Sequence, residues 1–463
     1  MEIKETYEIK DLYEAIKSGK TAALEGKELS FGGFVRSNRF MGKVGFLSIN
    51  DGSCFANLQV VYQDGDKAAQ ALRMGASVIA TGKVHYTPEA NQPFELDDSK
   101  IKLEGDVAVD YPLQKKKMGF DYLRTLPQWR MKTNTFNAVF RVRSTLAYYI
   151  HEYFHKNGYY WIHTPELTAN DCEGEGQVFD VYAEADKKDP TEYFGKENVH
   201  LTVSGQLHVE PFALTYGKVY TFGPTFRAEK SNTTRHAAEF WMVEPEIAWA
   251  HLDDLCAIEE DFLKYVVRHT MEDCSQDMAF FYKWIDKDLE KRLSDFLAKP
   301  FPYVEYADAI KILQDAVKNG HKFEVSDISF GLDLGSEHER YLTEQVFKGP
   351  IFLRNYPKEI KAFYMKQNPD NKTVGAVDLL VPGIGELCGG SERESDYGKL
   401  LTRMNELKMP IPSYQWYLDL RKNGSEPHSG FGLGFERLVM LVTGIENIRD
   451  VLPYPRCYKD MMF

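Results

Sequence analysis

The sequence predicts an α+β protein in which a small N-terminal β-barrel precedes a larger body of mixed strands and helices. Residues 28 to 105 alternate apolar and polar side chains over five short runs broken by Gly, Asn-Asp-Gly and Pro. A helical period starts after Thr133 and stops at Asn157-Gly158, and strand-like and helical stretches then alternate to the C-terminus. With 463 residues, the chain is long enough for two or three domains.

The five runs are LSFGGFVRSNRF, KVGFLSIND, CFANLQVVYQ, ASVIATGKVHY and PFELDDSKIKLE. Period two over such lengths marks strands. The helical pattern ALRM between the third and fourth runs completes the order of an OB-fold, whose strand faces commonly bind single-stranded nucleic acid. Residues 1–110 are expected to form this barrel. YPLQKKKMG, with a proline, three lysines and no apolar period, opens a hinge expected over 111–132. The body, 133–463, starts with the helix in NAVFRVRSTLAYYIHEYFHKNGY and carries strand-like VYTFGPTF, FWMVEPEIAWA, AVDLLVPG and HSGFGLG. Charged, helix-rich sequence such as LEKRLSDFLAK and ADAIKILQDAVK predicts a helical insertion at about 251–325.

Composition narrows the function. Apolar residues make up 43% of the chain, yet no run approaches the ~18 apolar residues of a membrane span, so a soluble globular protein is expected. MEIKETYEIKDLYEAIKSGK lacks the apolar stretch of a secretory signal, and a cytoplasmic location is expected. The six cysteines show no CxxC and no zinc-type spacing, and read as reduced thiols. A net charge of −13 argues against holding nucleic acid by bulk attraction, so any such contact must be local.

Three segments hold most of the chemistry: GYYWIHTPELTANDCEGEGQVFDV, FGPTFRAEKSNTTRHAAEFWMVEPEIAWA and GFGLGFERLVMLVTGIENIRDVLPYPR. Arg227 and Arg437 sit within apolar, glycine-rich surroundings where an ordinary surface arginine is uncommon. Guanidinium groups there suit bidentate binding of phosphate oxygens. Phe240 offers a flat face for stacking, although an ordinary core phenylalanine would look the same. Asp378 and Glu386, in AVDLLVPGIGELCGGS, are two acids eight apart on a glycine-rich segment and on their own read as solvated loop charges. GFGLG, ending at Gly434, allows close backbone approach to a nucleotide but lacks the spacing of a P-loop or dinucleotide fingerprint. No Ser-His-Asp set or reactive cysteine is evident, which points to catalysis by positioning and electrostatics.

In order and separation, these segments resemble motifs one, two and three of class II aminoacyl-tRNA synthetases. The barrel and the lysine-rich hinge are similar to those of the aspartate/asparagine/lysine branch, so the resemblance covers nearly the whole chain. It implies an antiparallel catalytic sheet flanked by helices, ATP and Mg2+, a tRNA partner and a homodimer. On that resemblance Arg227 contacts the α-phosphate, Arg437 the γ-phosphate, and Phe240 stacks on adenine. Glu229 and His236 complete the nucleotide site, and Asp378 and Glu386 hold the metal. Glu173, Ser204 and Gln206 match positions around the α-amino group and the substrate. Pro165 packs near the two-fold axis. In the barrel, Phe46 and Gln59 match positions that stack on and hydrogen-bond the middle anticodon uridine, with Arg36 nearby.

The amino acid is narrowed by the pocket. Arg393, in GGSER, matches the arginine that receives the side-chain oxygen in aspartyl and asparaginyl enzymes, which disfavours lysine. Aspartyl enzymes carry a lysine for the substrate carboxylate in the segment matching VSGQLHVE, where this chain has Val209. A pocket without that cation suits the neutral amide of asparagine, with Glu244 accepting from the amide nitrogen, and implies tRNA(Asn) as partner. An aspartyl enzyme, an ammonia-dependent asparagine synthetase and a non-catalytic RNA-binding paralogue remain alternatives. They are opposed respectively by Val209, by the barrel, and by the intact set Arg227, Glu229, Asp378, Glu386 and Arg437.

Overall fold

The computed structural model describes residues 7–90, 92–116, 118–172, 177–184 and 191–462. Two compact units divide the chain, Met1–Arg141 with Ser275–Ala279, and Val142–Cys274 with Phe280–Phe463.

In the first unit, strands β1 (Glu28–Met41), β2 (Val44–Asn50), β3 (Leu58–Gln63), β4 (Ser77–Tyr86) and β5 (Phe94–Gly105) close a barrel in the order β1-β2-β3-β5-β4. Alternation sorts the faces. Leu47, Ile49, Leu58 and Val60 are buried inside, while Phe46, Ser48 and Gln59 stay partly exposed outside. Helix α1 (Ile9–Lys17), which the sequence reading did not foresee, adds Ile9 and Leu12 to the barrel core. Its signal was a three-residue spacing of Ile9, Leu12 and Ala15 among charges. Helix α2 (Lys67–Gln70) lies four residues before the expected ALRM, because the Asp66 carboxylate caps it by accepting the Ala69 N–H at 2.8 Å. The expected hinge contains helices α3 (Phe120–Arg124) and α4 (Pro127–Arg130), and Leu113, Leu123 and Phe136 make a small core of their own. Helix α5 (Asn134–Lys156) follows.

The second unit is built on eight strands. These are β6 (Tyr160–Trp161), β9 (Lys218–Phe226), β10 (Glu239–Ala248), β11 (Tyr303–Glu305), β12 (Ile351–Arg354), β13 (Ala376–Val381), β14 (Gly385–Glu392) and β15 (His428–Gly434). The order is β11-β12-β13-β14-β15-β10-β9-β6, antiparallel except for the edge pairs β11/β12 and β6/β9. Two small ribbons, β7 (Leu167–Thr168) with β8 (His200–Leu201) and β16 (Arg456–Cys457) with β17 (Asp460–Met461), lie outside it. The helices are α6 (Thr191–Phe194), α7 (Gln206–Tyr216), α8 (Leu252–Asp273), α9 (Ser275–Trp284), α10 (Leu289–Ala298), α11 (Tyr306–Lys318), α12 (Ser336–Arg340), α13 (Tyr397–Glu406), α14 (Ile411–Lys422) and α15 (Phe435–Thr443). Helices α7 and α15 pack on β10, and α8 packs on β14 and β15.

The region 251–325 is helix-rich as expected, holding α8, α9, α10 and α11, and the short β11 within it joins the sheet edge. The segment GELCGGSE, whose glycines argue against a strand, forms β14 because β13 and β15 pair with it on both sides.

Asn38 links three parts of the barrel. Its Nδ2 donates to the carbonyls of Ala69 and Leu72 at 2.8 and 3.1 Å, and its Oδ1 accepts the Tyr62 hydroxyl at 2.8 Å. Asn38→Ala would strand these part-buried groups and is expected to lower stability by about 1–3 kcal/mol. A shift in the denaturation midpoint of the barrel checks this, and an unchanged midpoint would mean that water replaces the bonds.

Candidate active site

Alternation along β10 puts Phe240, Met242, Glu244 and Glu246 on one face, a row about 20 Å long at ~3.3 Å per residue. Two adjoining cavities run along it, of about 100 and 660 Å³, sharing Arg227, Met242, Glu386 and Gly432 in their walls.

The smaller cavity gathers Arg227, Glu229, Arg235, His236, Phe240, Gly434 and Arg437. The Arg227 guanidinium lies 5.5 Å from the centre of the Phe240 ring, so a flat face and a cation share one wall. His236 Nε2 is 3.7 Å from Glu229 Oε2. Burial lowers the His236 pKa, Glu229 opposes this, and the charges of Arg437, Arg227 and Arg235 favour the neutral ring. Arg437, in the first turn of α15, donates to the Glu386 carbonyl and stands 4.0 Å from the Glu386 carboxylate. Arg235 donates to the Gly383 carbonyl at 3.0 Å. Three guanidinium groups in one small cavity make a site for a polyanion.

Asp378 and Glu386 meet on adjacent strands. A bulge between β13 and β14 at Leu379/Leu380 breaks the alternation, so Glu386 faces the same side as Gly389. A Cβ on Gly389 would lie 2.7 Å from Glu386 Oε1 and 3.4 Å from Asp378 Oδ1, so the absent side chain leaves room where the two carboxylates converge. Asp378 Oδ2 is taken by Lys361 Nζ at 2.6 Å, and the Tyr356 hydroxyl also bonds this carboxyl. Oxygen donors of this kind, with the remaining positions open to water and substrate, fit Mg2+. Burial raises the Glu339 pKa to about 7, with Glu386 and Asp378 adding to the effect and Arg437 and Arg235 opposing it.

The larger cavity holds Ser204, Gln206, Glu244 and Arg393. Ser204 Oγ donates to Glu244 Oε1, and the Gly205 N–H donates to Glu244 Oε2 at 2.9 Å. Burial raises the Glu244 pKa, while these bonds and the charges of Arg227 and Arg393 pull it back. Gln206 Nε2 is buried and has no hydrogen-bond partner among the described residues, as expected of a group that meets a ligand. Arg393 donates through Nε and Nη2 to the two oxygens of Glu246 at 2.9 and 2.8 Å, and through Nη1 to Ser391 Oγ at 2.8 Å. Val209 is not in this wall. It is buried with Ala213, Val219 and Ile162 in a separate apolar cluster, because α7 turns it away from the side that Ser204 and Gln206 approach. Glu173 lies outside the described residues.

The family model for class II tRNA synthetases (D, K and N) matches residues 124–458. The chain belongs to that family. It is 51% identical to the asparagine–tRNA ligase of Acetivibrio thermocellus over 93% of this chain and 95% of that one. Against the asparagine–tRNA ligase of Mycoplasma mycoides the identity is 50%, over 98% and 100%. The crystal structure of asparaginyl-tRNA synthetase from Pyrococcus horikoshii complexed with asparaginyl-adenylate aligns with a TM-score of 0.83 at 36% identity, covering 94% of this chain and 96% of that one.

Elsewhere in this class II synthetase, Phe46 and Gln59 stand on the outer barrel face, where Ser48, two residues from Phe46, pairs with Gln59. Gln59 Nε2 donates to Glu95 on β5. Arg36 sits in the bulge between Val35 and Ser37 and lines one cavity with Ser48, and its guanidinium donates to the Lys132 carbonyl and to Asn134 Oδ1. Pro165 is exposed between β6 and β7. Sequence reasoning did not single out Arg235, Glu246, Glu339 or Lys361. Arg235 was legible beside His236, and Glu246 by its period-two relation to Glu244; Glu339 and Lys361 reach the site only through tertiary packing.

Gly430, on β15 between β10 and β14, leaves room where Glu246 and Arg393 pair. A Cβ there would overlap Glu246 Oε2, lie 2.6 Å from Arg393 Nη2 and crowd the Pro245 carbonyl. Gly430→Ala is therefore expected to displace the Arg393–Glu246 pair and raise the KM for the amino acid at least tenfold, with the KM for ATP within twofold. Steady-state exchange kinetics check it; an unchanged amino-acid KM would show that the pair tolerates the shift.

Proposed function

We propose that this synthetase is an asparagine–tRNA ligase that activates asparagine with ATP and transfers it to the terminal ribose of tRNA(Asn). The observation that carries the choice of amino acid is the Arg393–Glu246 pair beside Glu244. Arg393 already has a carboxylate partner, and a second acid stands in the same wall. A neutral amide can give its oxygen to Arg393 and its N–H to Glu244, whereas a substrate carboxylate would have to compete with Glu246 for Arg393 while meeting Glu244. The asparagine–tRNA ligases that match over nearly the full chain support the same choice.

In the first step the asparagine carboxylate attacks the α-phosphorus of ATP, the bond to the β-phosphate breaks, and pyrophosphate leaves. A ribose hydroxyl of tRNA then attacks the acyl carbon of the adenylate and releases AMP. Phe240 stacks on the adenine, Arg227 balances charge building on the α-phosphate, and Arg437 with Arg235 and His236 holds the outer phosphates. Gln206 and Ser204, with Glu173, orient the amino acid. Asp378 and Glu386 would hold Mg2+, which screens the phosphates when bound. Phe46 and Gln59 read the anticodon, with Arg36 nearby for its backbone or a base.

The enzyme works as a homodimer. Tyr160, Trp161, Leu167, Phe212 and Tyr216 are exposed around Pro165 at the β6 edge, an apolar surface that fits a second subunit. Cys54, Cys256 and Cys388 are free of disulfide bonds, which fits the reducing cytoplasm.

Pyrophosphate exchange tests the assignment. Asparagine should support exchange without tRNA, and aspartate should do so at least a hundredfold less efficiently. Arg227→Ala should lose roughly 100- to 1,000-fold while keeping its fold. Equal exchange with aspartate would favour the aspartyl reading, and exchange with neither amino acid would favour the paralogue.

The barrel is tested separately. Phe46→Ala should weaken tRNA charging by about 1–3 kcal/mol through loss of one base stack, with tRNA-independent exchange unaffected. Equal loss in both reactions would make Phe46 a structural residue.

A further inference from the structure

His428, the first residue of β15, is wholly buried, and each ring nitrogen faces an oxygen that accepts. Nδ1 lies 2.8 Å from the Glu426 carbonyl, and Nε2 lies 2.7 Å from Glu210 Oε1. A neutral imidazole has a single N–H and would set a lone pair against one of these oxygens. A proton on Glu210 could remove the conflict, but the Arg421 guanidinium and the Tyr417 hydroxyl both donate to this carboxyl, and against its burial the Arg421 charge holds it ionised, well below the usual carboxylate range. Arg421 donates to Oε1 and the Tyr417 hydroxyl to Oε2. Tyr417 in turn accepts from Arg421 at 2.8 Å, which directs its own hydrogen to Glu210. With Glu210 ionised, only the imidazolium gives both ring nitrogens a hydrogen to donate.

This charged ring lies directly behind the amino-acid cavity. The Arg393 N–H donates to the His428 carbonyl at 2.8 Å. Ligand atoms of His428, Glu210 and Glu246 all lie within 4.8 Å of one another, and Glu246 is the group that holds the Arg393 guanidinium. These three could be taken for a metal site, but the Nε2 lone pair is absent in an imidazolium and Arg393 occupies both oxygens of Glu246.

We infer that His428, locked as an imidazolium by Glu210, is a positioning residue for Arg393. It balances Glu246 from behind, so that the guanidinium stays at the cavity wall and asparagine recognition depends on one buried proton. The inference rests on the asparagine reading for what Arg393 contacts. The groups facing the ring are Glu210 on α7, Arg421 and Tyr417 on α14, Glu246 on β10, and Arg393 just beyond β14. Burial and Arg421 act against the proton; the Glu210 bond and the charges of Glu210 and Glu246 outweigh them and raise the pKa. The sign follows. Recognition is intact below that raised value and fails as pH climbs through it, when the bare Nε2 repels Glu210 and Glu246 loses its second cation.

The test uses the full-length enzyme with 15N-labelled histidine, together with exchange kinetics from pH 6.5 to 9.5. His428 is assigned by the signal missing in His428→Gln. The expected result is an imidazolium signal at pH 7, and a KM for asparagine that rises at least tenfold as this signal titrates, with the KM for ATP within twofold. Glu210→Gln, whose amide can donate to a neutral ring, should lose the imidazolium signal at pH 7 and show the raised asparagine KM throughout. A neutral ring in the wild type at pH 7, or an asparagine KM unchanged in Glu210→Gln, overturns the inference. Should that variant fail to fold, the wild-type signal and pH series decide alone. An enzyme that activates aspartate with the same pH course would retire the asparagine reading and keep the positioning role of His428.

Discussion

Charge buried in the central sheet has to be matched within it, because an ion removed from water without a partner costs several kcal/mol. Arg393 and Glu246 are both almost fully buried, as are Arg421 and Glu210. Lys361 with Asp378, and Arg143 with Glu436, repeat the arrangement at the nucleotide end. Both members of the Arg393–Glu246 and Lys361–Asp378 pairs line the larger cavity, and Glu436 lines the smaller one. Glu436 shows how far this reaches: it accepts from Arg143 through one oxygen and from the Trp241 N–H at 3.0 Å through the other, tying α5 and α15 to the strand that carries Phe240. The positions of the reactive groups are therefore consequences of pairing as much as of backbone course.

Glycine does the complementary work. Buried pairs of long side chains need space, and the strands beside them give it by carrying none. Gly430 lies where Glu246 and Arg393 meet, and Gly389 lies where Asp378 and Glu386 converge. These residues weaken the strand propensity of GELCGGSE and HSGFGLG, which is why β14 was not legible locally. Its stability comes from neighbours on both sides. The same substitution of side chain by space makes one cavity out of three adjacent strands.

How much could be read from sequence follows from the range of the signal. Phe240, Glu244 and Glu246 share a face because a strand alternates, and Arg227 and His236 flank the same hairpin, so a linear motif was enough to bring them together. Asp378 and Glu386 also meet, although a bulge decides it, and a bulge is invisible to a period-two pattern. Arg36 sits in another bulge, between Val35 and Ser37, and its contacts with the chain at Lys132 and Asn134 lie 96 and 98 residues away, beyond any local pattern. Val209 fails for a different reason. A position in a helix cannot be assigned to a cavity until the helix has a neighbour, and packing on Ile162 and Val219 turned it into core.

The loss of Val209 as a selectivity residue changes where discrimination has to come from. A missing lysine would have made selection a matter of one absent charge. The wall instead contains Arg393, whose charge is met by Glu246, and Glu244, whose oxygens take bonds from Ser204 and Gly205. Rejection of a carboxylate then arises from what is present. An incoming anion would have to compete with Glu246 for Arg393 while approaching Glu244, whereas an amide complements both groups without displacing either. On the proposed assignment, selection built this way depends on the whole set of buried pairs holding its geometry, and the inference about His428 extends that set to Glu210 and Arg421, which touch no substrate.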